Sequence, residues 1–259
     1  MNRSDSIKKF YTEKGWSKKN NEYIDTLLHE DLRNCSKKYV SKCRKRLLKH
    51  LPSNGSNMLD MASGSIPYRE YIEYSSNFNQ RYCCDLSKEA LEEARKKIPD
   101  KFVGLHGNFL DLDLKENFFD CVISLHTIYH IEKNLQEKAV RKLIKVSKKN
   151  SKIIILYSNP VTIFEKIKKL FNPKKIQDSN KQNNLYYFYN DLKWWNIFQD
   201  ECEITVTINR SLSAWHLKKF IPDNYLGKLM LDMLFILENL FPIYFSKYFQ
   251  YPLIILHKK

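Results

Sequence analysis

The chain has 259 residues, 43% of them hydrophobic and 14% aromatic, which is enough to bury a sizeable core and excludes a disordered polymer. A formal net charge of +15 points toward anionic partners. The basic residues nevertheless come in scattered pairs such as Lys8-Lys9, Lys96-Lys97 and Lys148-Lys149, the distribution of solvated helix faces rather than of a single nucleic-acid stripe.

The polar N-terminus lacks the apolar core of a secretory signal, and the expected location is cytoplasmic. Residues 6–51 read as two or three helices, with Ile24, Leu27, Leu28 and Leu32 at helical spacing; Tyr11, Trp16 and Tyr23 form an aromatic set within them. Pro52 to Ser56 is turn punctuation. A first strand, Met58-Leu59-Asp60-Met61, opens into the small-residue loop Ala62-Ser63-Gly64-Ser65, and a helix follows from Pro67. Gln80 to Cys84 form a second strand that closes on Asp85, about 20 residues after Gly64, the spacing that places an acid on ribose hydroxyls in a nucleotide-binding βαβ unit. Small side chains let the backbone approach a ligand, and the next helix offers free N–H groups.

Ser87 is placed to cap a helix carrying Ala90, Leu91, Ala94 and Ile98. Strands are expected at 102–106, 120–125, 152–158, 203–209 and 251–257, with helices between them, among them 163–171 and 191–199, the latter capped by Asn190. Asn108 and Phe109 lie just beyond the third strand, where parallel sheets bind ligands. Six cysteines without a CxxC pair read as reduced core thiols. Residues 211–249 form an aromatic-rich insertion too long for a hairpin. Within it, the apolar stretch 226–245 is broken by Lys228, Asp232 and Glu238, so it should not span a bilayer. Packing on the domain is the common fate of such a helix, and peripheral membrane contact is the alternative.

Four motifs in order carry a family resemblance. Leu59-Asp60-Met61-Ala62-Ser63-Gly64-Ser65 resembles the first motif of class I S-adenosylmethionine (SAM) methyltransferases, and Cys84-Asp85-Leu86-Ser87 the second. Gly107-Asn108-Phe109-Leu110-Asp111-Leu112 and Phe118-Phe119-Asp120-Cys121-Val122-Ile123-Ser124 are similar to the family's third-strand end and fourth strand. The resemblance, over residues 47–159, implies an α/β fold with a seven-stranded, mostly parallel Rossmann-like sheet and helices on both faces. It implies a helical lid at 1–51, a SAM-binding core at 52–210, a helical cap at 211–250 and a last core strand at 251–259. SAM is the implied cofactor and S-adenosylhomocysteine the product. Asp60 would orient the methionine end, Gly64 permit close approach, Asp85 hold the ribose, and Leu86, Asn108 and Phe109 bracket adenine, with Ala62 and Leu125 completing the cofactor set. Ala62 and Ile66 stand where the family often has glycine. Asn108 stands where aspartate is usual and keeps an acceptor oxygen for the adenine amino group.

After the fourth strand, Leu125-His126-Thr127-Ile128-Tyr129-His130-Ile131 falls beside the place of the transferred methyl group. A hydroxyl acceptor benefits from a base, and histidine suits that task. His126 is the first candidate and His130 the second; at i, i+4 they share a face if the segment is helical. The alternative is that one of them contacts cofactor carboxylate or backbone. No third ligand or HExxH pattern accompanies them, so no metal is expected. Tyr11, Tyr129, Trp215 and His216 are candidate acceptor-binding residues, with Phe220, Tyr225 and Tyr244 as further cap lining.

The implied activity is methyl transfer to a hydroxyl, or to an amine or phosphate-linked group, of a small or carbohydrate-like acceptor. Ser211-Leu212-Ser213 and Tyr251-Pro252-Leu253-Ile254-Ile255 resemble methyltransferases of bacterial surface-polysaccharide functions, whose nucleotide-sugar or capsule precursors are anionic and would meet the basic surface. An RNA methyltransferase is the second reading; no RNA-binding module or Asn/Asp-Pro-Pro-Tyr signature supports it. A SAM-fold binding protein without turnover is the third, motivated by Ala62, Ile66 and Asn108.

Overall fold

Short apolar runs bounded by turn residues build the sheet, and the computed structural model describes residues 18–19, 22–171 and 187–259. Tyr11 and Trp16 lie outside the described residues. After a two-residue hairpin, Lys18–Lys19 against Glu22–Tyr23, come α1 (Ile24–His29) and α2 (Asn34–Lys45), the latter continued by a 3-10 turn. Seven strands then form the main sheet: β1 (Gly55–Met61), β2 (Phe78–Asp85), β3 (Phe102–His106), β4 (Phe119–Leu125), β5 (Ser147–Leu156), β6 (Cys202–Arg210) and β7 (Tyr251–Lys258). Between them lie α3 (Arg69–Glu73), α4 (Lys88–Lys97), α5 (Lys133–Val146), α6 (Ile163–Phe171), α7 (Ala214–Phe220), α8 (Tyr225–Leu240) and α9 (Pro242–Tyr248).

The sheet order is β3-β2-β1-β4-β5-β7-β6, with β7 antiparallel to both neighbours and the remaining pairs parallel. The chain winds outward from β1 through β3, then crosses back to β4. That reversal opens a crevice at the carboxyl ends of β1 and β4, where α/β sheets bind ligands. Because β7 runs against its neighbours, Arg210 at the end of β6 pairs with Tyr251 at the start of β7, on this same edge.

Alternation along β1 sorts its side chains into two layers. Leu59 and Met61 pack with Val122, Val140, Leu143 and Trp195; Met58 packs with Cys83, Cys121, Leu91 and Ala94. All six cysteines are free and buried, as expected of core thiols. Ser87 caps α4, its Oγ accepting from the Ala90 amide at 3.1 Å. The expected helix 191–199 is a 3-10 helix, Leu192–Phe198, capped by Asp191 rather than Asn190. Asn190 instead donates its side-chain N–H to Gln136.

The insertion packs on α2 through a third core, in which Tyr39, Val40 and Cys43 meet Leu217, Ile221 and Leu231. Glu238 of α8 is fully buried there; it pairs with Arg46 at 2.7 Å and accepts from Tyr39 Oη and the Ser211 amide. α8 packs on the domain through Leu231, Leu234 and Phe235 beside Glu238, and a second apolar face is left outward. No single described helix is long and apolar enough to cross a membrane; α8 and α9 pass that test together, bent by 106°.

Candidate active site

The loop after β1 bends through three left-handed residues, Ala62 (φ 58°), Gly64 (φ 54°) and Ile66 (φ 51°). Only glycine enters that region without steric cost, which runs to about 1–2 kcal/mol for other residues. Ile66 offsets the strain by burying its side chain in the layer beneath α4. Ala62 lines both cavities described below and has no such compensation. Ala62→Gly should therefore stabilise the fold by about 1 kcal/mol, a rise of about 2–4 °C in melting temperature for a chain of this size, read by calorimetry.

Asp85, at the tip of β2, accepts from the Gly64 amide through Oδ2 (2.8 Å) and from the Ser87 amide through Oδ1 (2.9 Å). Burial lifts its carboxyl to about 6 despite those two donors. Asp60 is buried one strand over, and two Arg81 N–H groups converge on its Oδ2. Both side chains are almost wholly sequestered. Burial raises the Asp60 carboxyl against the pull of that guanidinium.

Two cavities meet at Asp85, sharing Ala62, Leu86, Thr127 and His130 as well. The smaller, about 210 Å³, is walled by Phe109, Leu86, Ile131 and Leu135 with Asn108 at its side. Flat apolar walls beside one amide suit a purine ring. Asn108 Oδ1 accepts from the Leu110 amide at 3.1 Å, which fixes the side chain and leaves Nδ2 and the second lone pair of Oδ1 for other partners. The larger cavity, about 250 Å³, takes in Asp60, Leu125, His126, Tyr129 and His130. The joined cavities offer a buried carboxylate at their junction and apolar walls to one side, a lining that suits a nucleoside-sized ligand.

The far wall of the larger cavity is charged. Glu30, just past α1, bridges Arg210 (2.7 Å) and Arg44 (3.2 Å); Arg210 lies over the Tyr251 ring at 5.0 Å, and Arg44 stacks on Tyr68 at 3.4 Å. Burial favours protonation of Glu30, but the two guanidiniums outweigh it and hold the carboxyl below its ordinary value. His126 sits beside this group in a left-handed conformation, φ 57°. Its Nδ1 bonds Tyr129 Oη at 2.9 Å, so Nε2 is the ring nitrogen not engaged in that bond. Burial first, then Arg210, push the imidazole down to about 3.

The cavities thus gather Asp60, Ala62, Asp85, Leu86, Asn108, Phe109, Leu125, His126, Tyr129 and His130, while Gly64 serves through its amide. His126 and His130 do not share a helix: the left-handed turn at His126 is followed by a 3-10 turn, Ile128–His130. Trp215 and His216 line neither cavity. Trp215 is exposed, and His216 bonds Ser213 Oγ and stacks on Phe164 at 4.3 Å, because α7 packs on α2 and α8 rather than over the crevice. Tyr23 packs on α4, bonded to Glu93 and Lys97. Glu30, Arg210, Tyr68 and Tyr251 were not expected at the site from sequence. The available signal was the pairing of a strand-ending arginine with the aromatic residue that begins the last strand.

Residues 59–155 match a family model described as a methyltransferase domain. The structure is similar to a SAM-dependent methyltransferase from Archaeoglobus fulgidus, with TM-score 0.55 and 13% identity over 86% of this chain and 97% of that one. It is similar to geranyl diphosphate methyltransferase, TM-score 0.56 and 12% identity over 85% and 78%. Phosphoethanolamine N-methyltransferase 2 of Haemonchus contortus, solved with SAM, gives TM-score 0.51 and 16% identity over 84% of this chain and 52% of that longer one. A search of curated proteins finds no match. Residues 59–155 thus match a methyltransferase domain, and the strand order and crevice around them give the chain the fold of the solved SAM-dependent methyltransferases.

Proposed function

We propose that the protein methylates a hydroxyl of a small, carbohydrate-like acceptor, such as a sugar or nucleotide-sugar precursor of a surface polysaccharide, seated between His126 and the Glu30–Arg210 pair. The observation that carries this reading is the charged wall itself. A fixed carboxylate and guanidinium offer acceptor and donor atoms to neighbouring hydroxyls, and the Tyr68 and Tyr251 rings offer flat faces to C–H groups. When bound, SAM supplies an electrophilic methyl group on a sulfonium centre. Asp85 fixes the ribose, the apolar cavity holds the base, and the wall sets the acceptor oxygen in line.

His126 receives the proton. The role calls for the Nδ1–H tautomer, in which Nδ1–H donates to Tyr129 Oη and Nε2 presents its lone pair to the acceptor O–H. An imidazole at about 3 is too weak to ionise an alcohol beforehand. An oxygen that has gained a methyl group while keeping its proton is a far stronger acid, so transfer to Nε2 is downhill once the bond forms. His126→Asn, which tolerates the left-handed backbone, should lower kcat about 100-fold and leave SAM affinity unchanged, with no kcat limb near pH 6.5 in the wild type. Unchanged kcat would remove the role. For the acceptor, methyl transfer from labelled SAM to pooled nucleotide sugars is compared with transfer to total RNA; label in RNA alone would overturn the reading.

A further inference from the structure

Surface helices ordinarily turn their apolar stripe inward. α8 does so with Leu231, Leu234 and Phe235, yet it carries a second apolar stripe outward. Leu226, Leu229, Met233, Ile236, Leu237 and Leu240 recur at spacings of three and four on one face, each between 42% and 64% exposed, whereas the opposite face is fixed inward by Glu238, Arg46 and Tyr39. The stripe continues past the bend into α9, where Ile243 is 75% exposed and Tyr244 stands beside it. α7, packed on α8 through Leu217, Ile221 and Leu231, adds the exposed rings of Trp215 and Phe220. An apolar face of this extent marks an interaction surface.

Its charges identify the partner. The acids of the face are engaged within the protein: Asp223 accepts from the Cys35 amide, Asp232 is bridged by Lys42 at 2.6 Å, and Glu238 is buried. Among the described residues no ion pair engages Lys218, Lys219, Lys228 or Lys247. We propose that α7, α8 and α9 dock the protein on an anionic lipid bilayer, lying in the interface rather than crossing it. The stripe enters the acyl boundary, Trp215 and Tyr244 sit at headgroup level, and the lysines meet lipid phosphates. A second copy of the chain on the same face would set lysines against lysines.

The test sediments the full 259-residue chain with vesicles of phosphatidylcholine mixed with phosphatidylglycerol, and with phosphatidylcholine alone. Co-sedimentation with the anionic vesicles is expected, weakened by salt. Replacing exposed side chains by charge, in Met233→Glu/Leu237→Glu, should reduce binding about 10-fold or more per position without changing the circular dichroism spectrum. Lys218→Glu/Lys219→Glu should abolish the preference for anionic lipid. Absence of vesicle binding, equal binding to neutral vesicles, or binding unaffected by the α8 substitutions would each overturn the proposal. So would a dimer in sedimentation velocity that the α8 substitutions dissociate.

Discussion

Asp85→Ala is expected to weaken SAM binding about 10³-fold. The carboxylate stands where the two cavities join, and a ribose bound there would present two hydroxyl donors to a charged acceptor. Hydrogen bonds to a charged group contribute about 1.5–3 kcal/mol each, and about 4 kcal/mol for the pair corresponds to that loss of affinity. Because burial lifts the Asp85 carboxyl to about 6, affinity should be level above that pH and fall about tenfold per unit below it, as protonation removes the acceptor. Asp85→Asn separates binding from folding. It keeps an oxygen for the Gly64 or Ser87 amide, and so the loop, yet lacks the charge, and about 10²-fold weaker binding is expected. Titration calorimetry between pH 5 and 8 reads both effects; wild-type affinity in Asp85→Ala would remove the ribose assignment.

Glu30→Ala is expected to cost about 3–5 kcal/mol of stability, the usual penalty for stripping one partner from a buried charge group. The variant leaves Arg44 and Arg210 facing each other without their shared carboxylate. For a chain of this size that is about 10 °C in melting temperature. Replacing Arg210 as well should recover part of the loss, since the remaining charge then has no like neighbour. The pH dependence gives a second reading. Two guanidiniums hold the Glu30 carboxyl below its unfolded value of 4.5, so its contribution is complete above 4.5 and is lost as the pH falls through the lower folded value. Glu30→Ala should lack that portion of the acid sensitivity. An unchanged melting temperature would show that the carboxylate does not bind the arginines in solution.

Much of the crevice was legible because its residues are neighbours in local pattern. An acid at a strand end, a small-residue loop and a capping serine lie within Asp60 to Ser87, and strand alternation brings them to one edge. The charged wall was not legible. Glu30 and Arg210 are separated by 180 positions and meet where the N-terminal helices pack beside the end of β6. Spacing also misled at His126, where i, i+4 presumes a helix that a single left-handed residue interrupts. For α8, periodicity told which residues share a face but not which face turns inward. The inward face is the one whose Leu231 and Glu238 meet Tyr39, Cys43 and Arg46, near the other end of the chain.

Arg210 and Tyr251 are cross-strand partners, so the 211–250 segment leaves and re-enters the ladder at adjacent rungs. Its two roots are held together by the sheet, and a change in its length alters the entropy of a closed loop only logarithmically, about 0.6 kcal/mol per doubling. Such a segment can be enlarged, trimmed or exchanged over evolutionary time without shifting the register of the chemistry beside it. The outward apolar face of that segment and the crevice beside it are in that sense carried on separable parts of one chain.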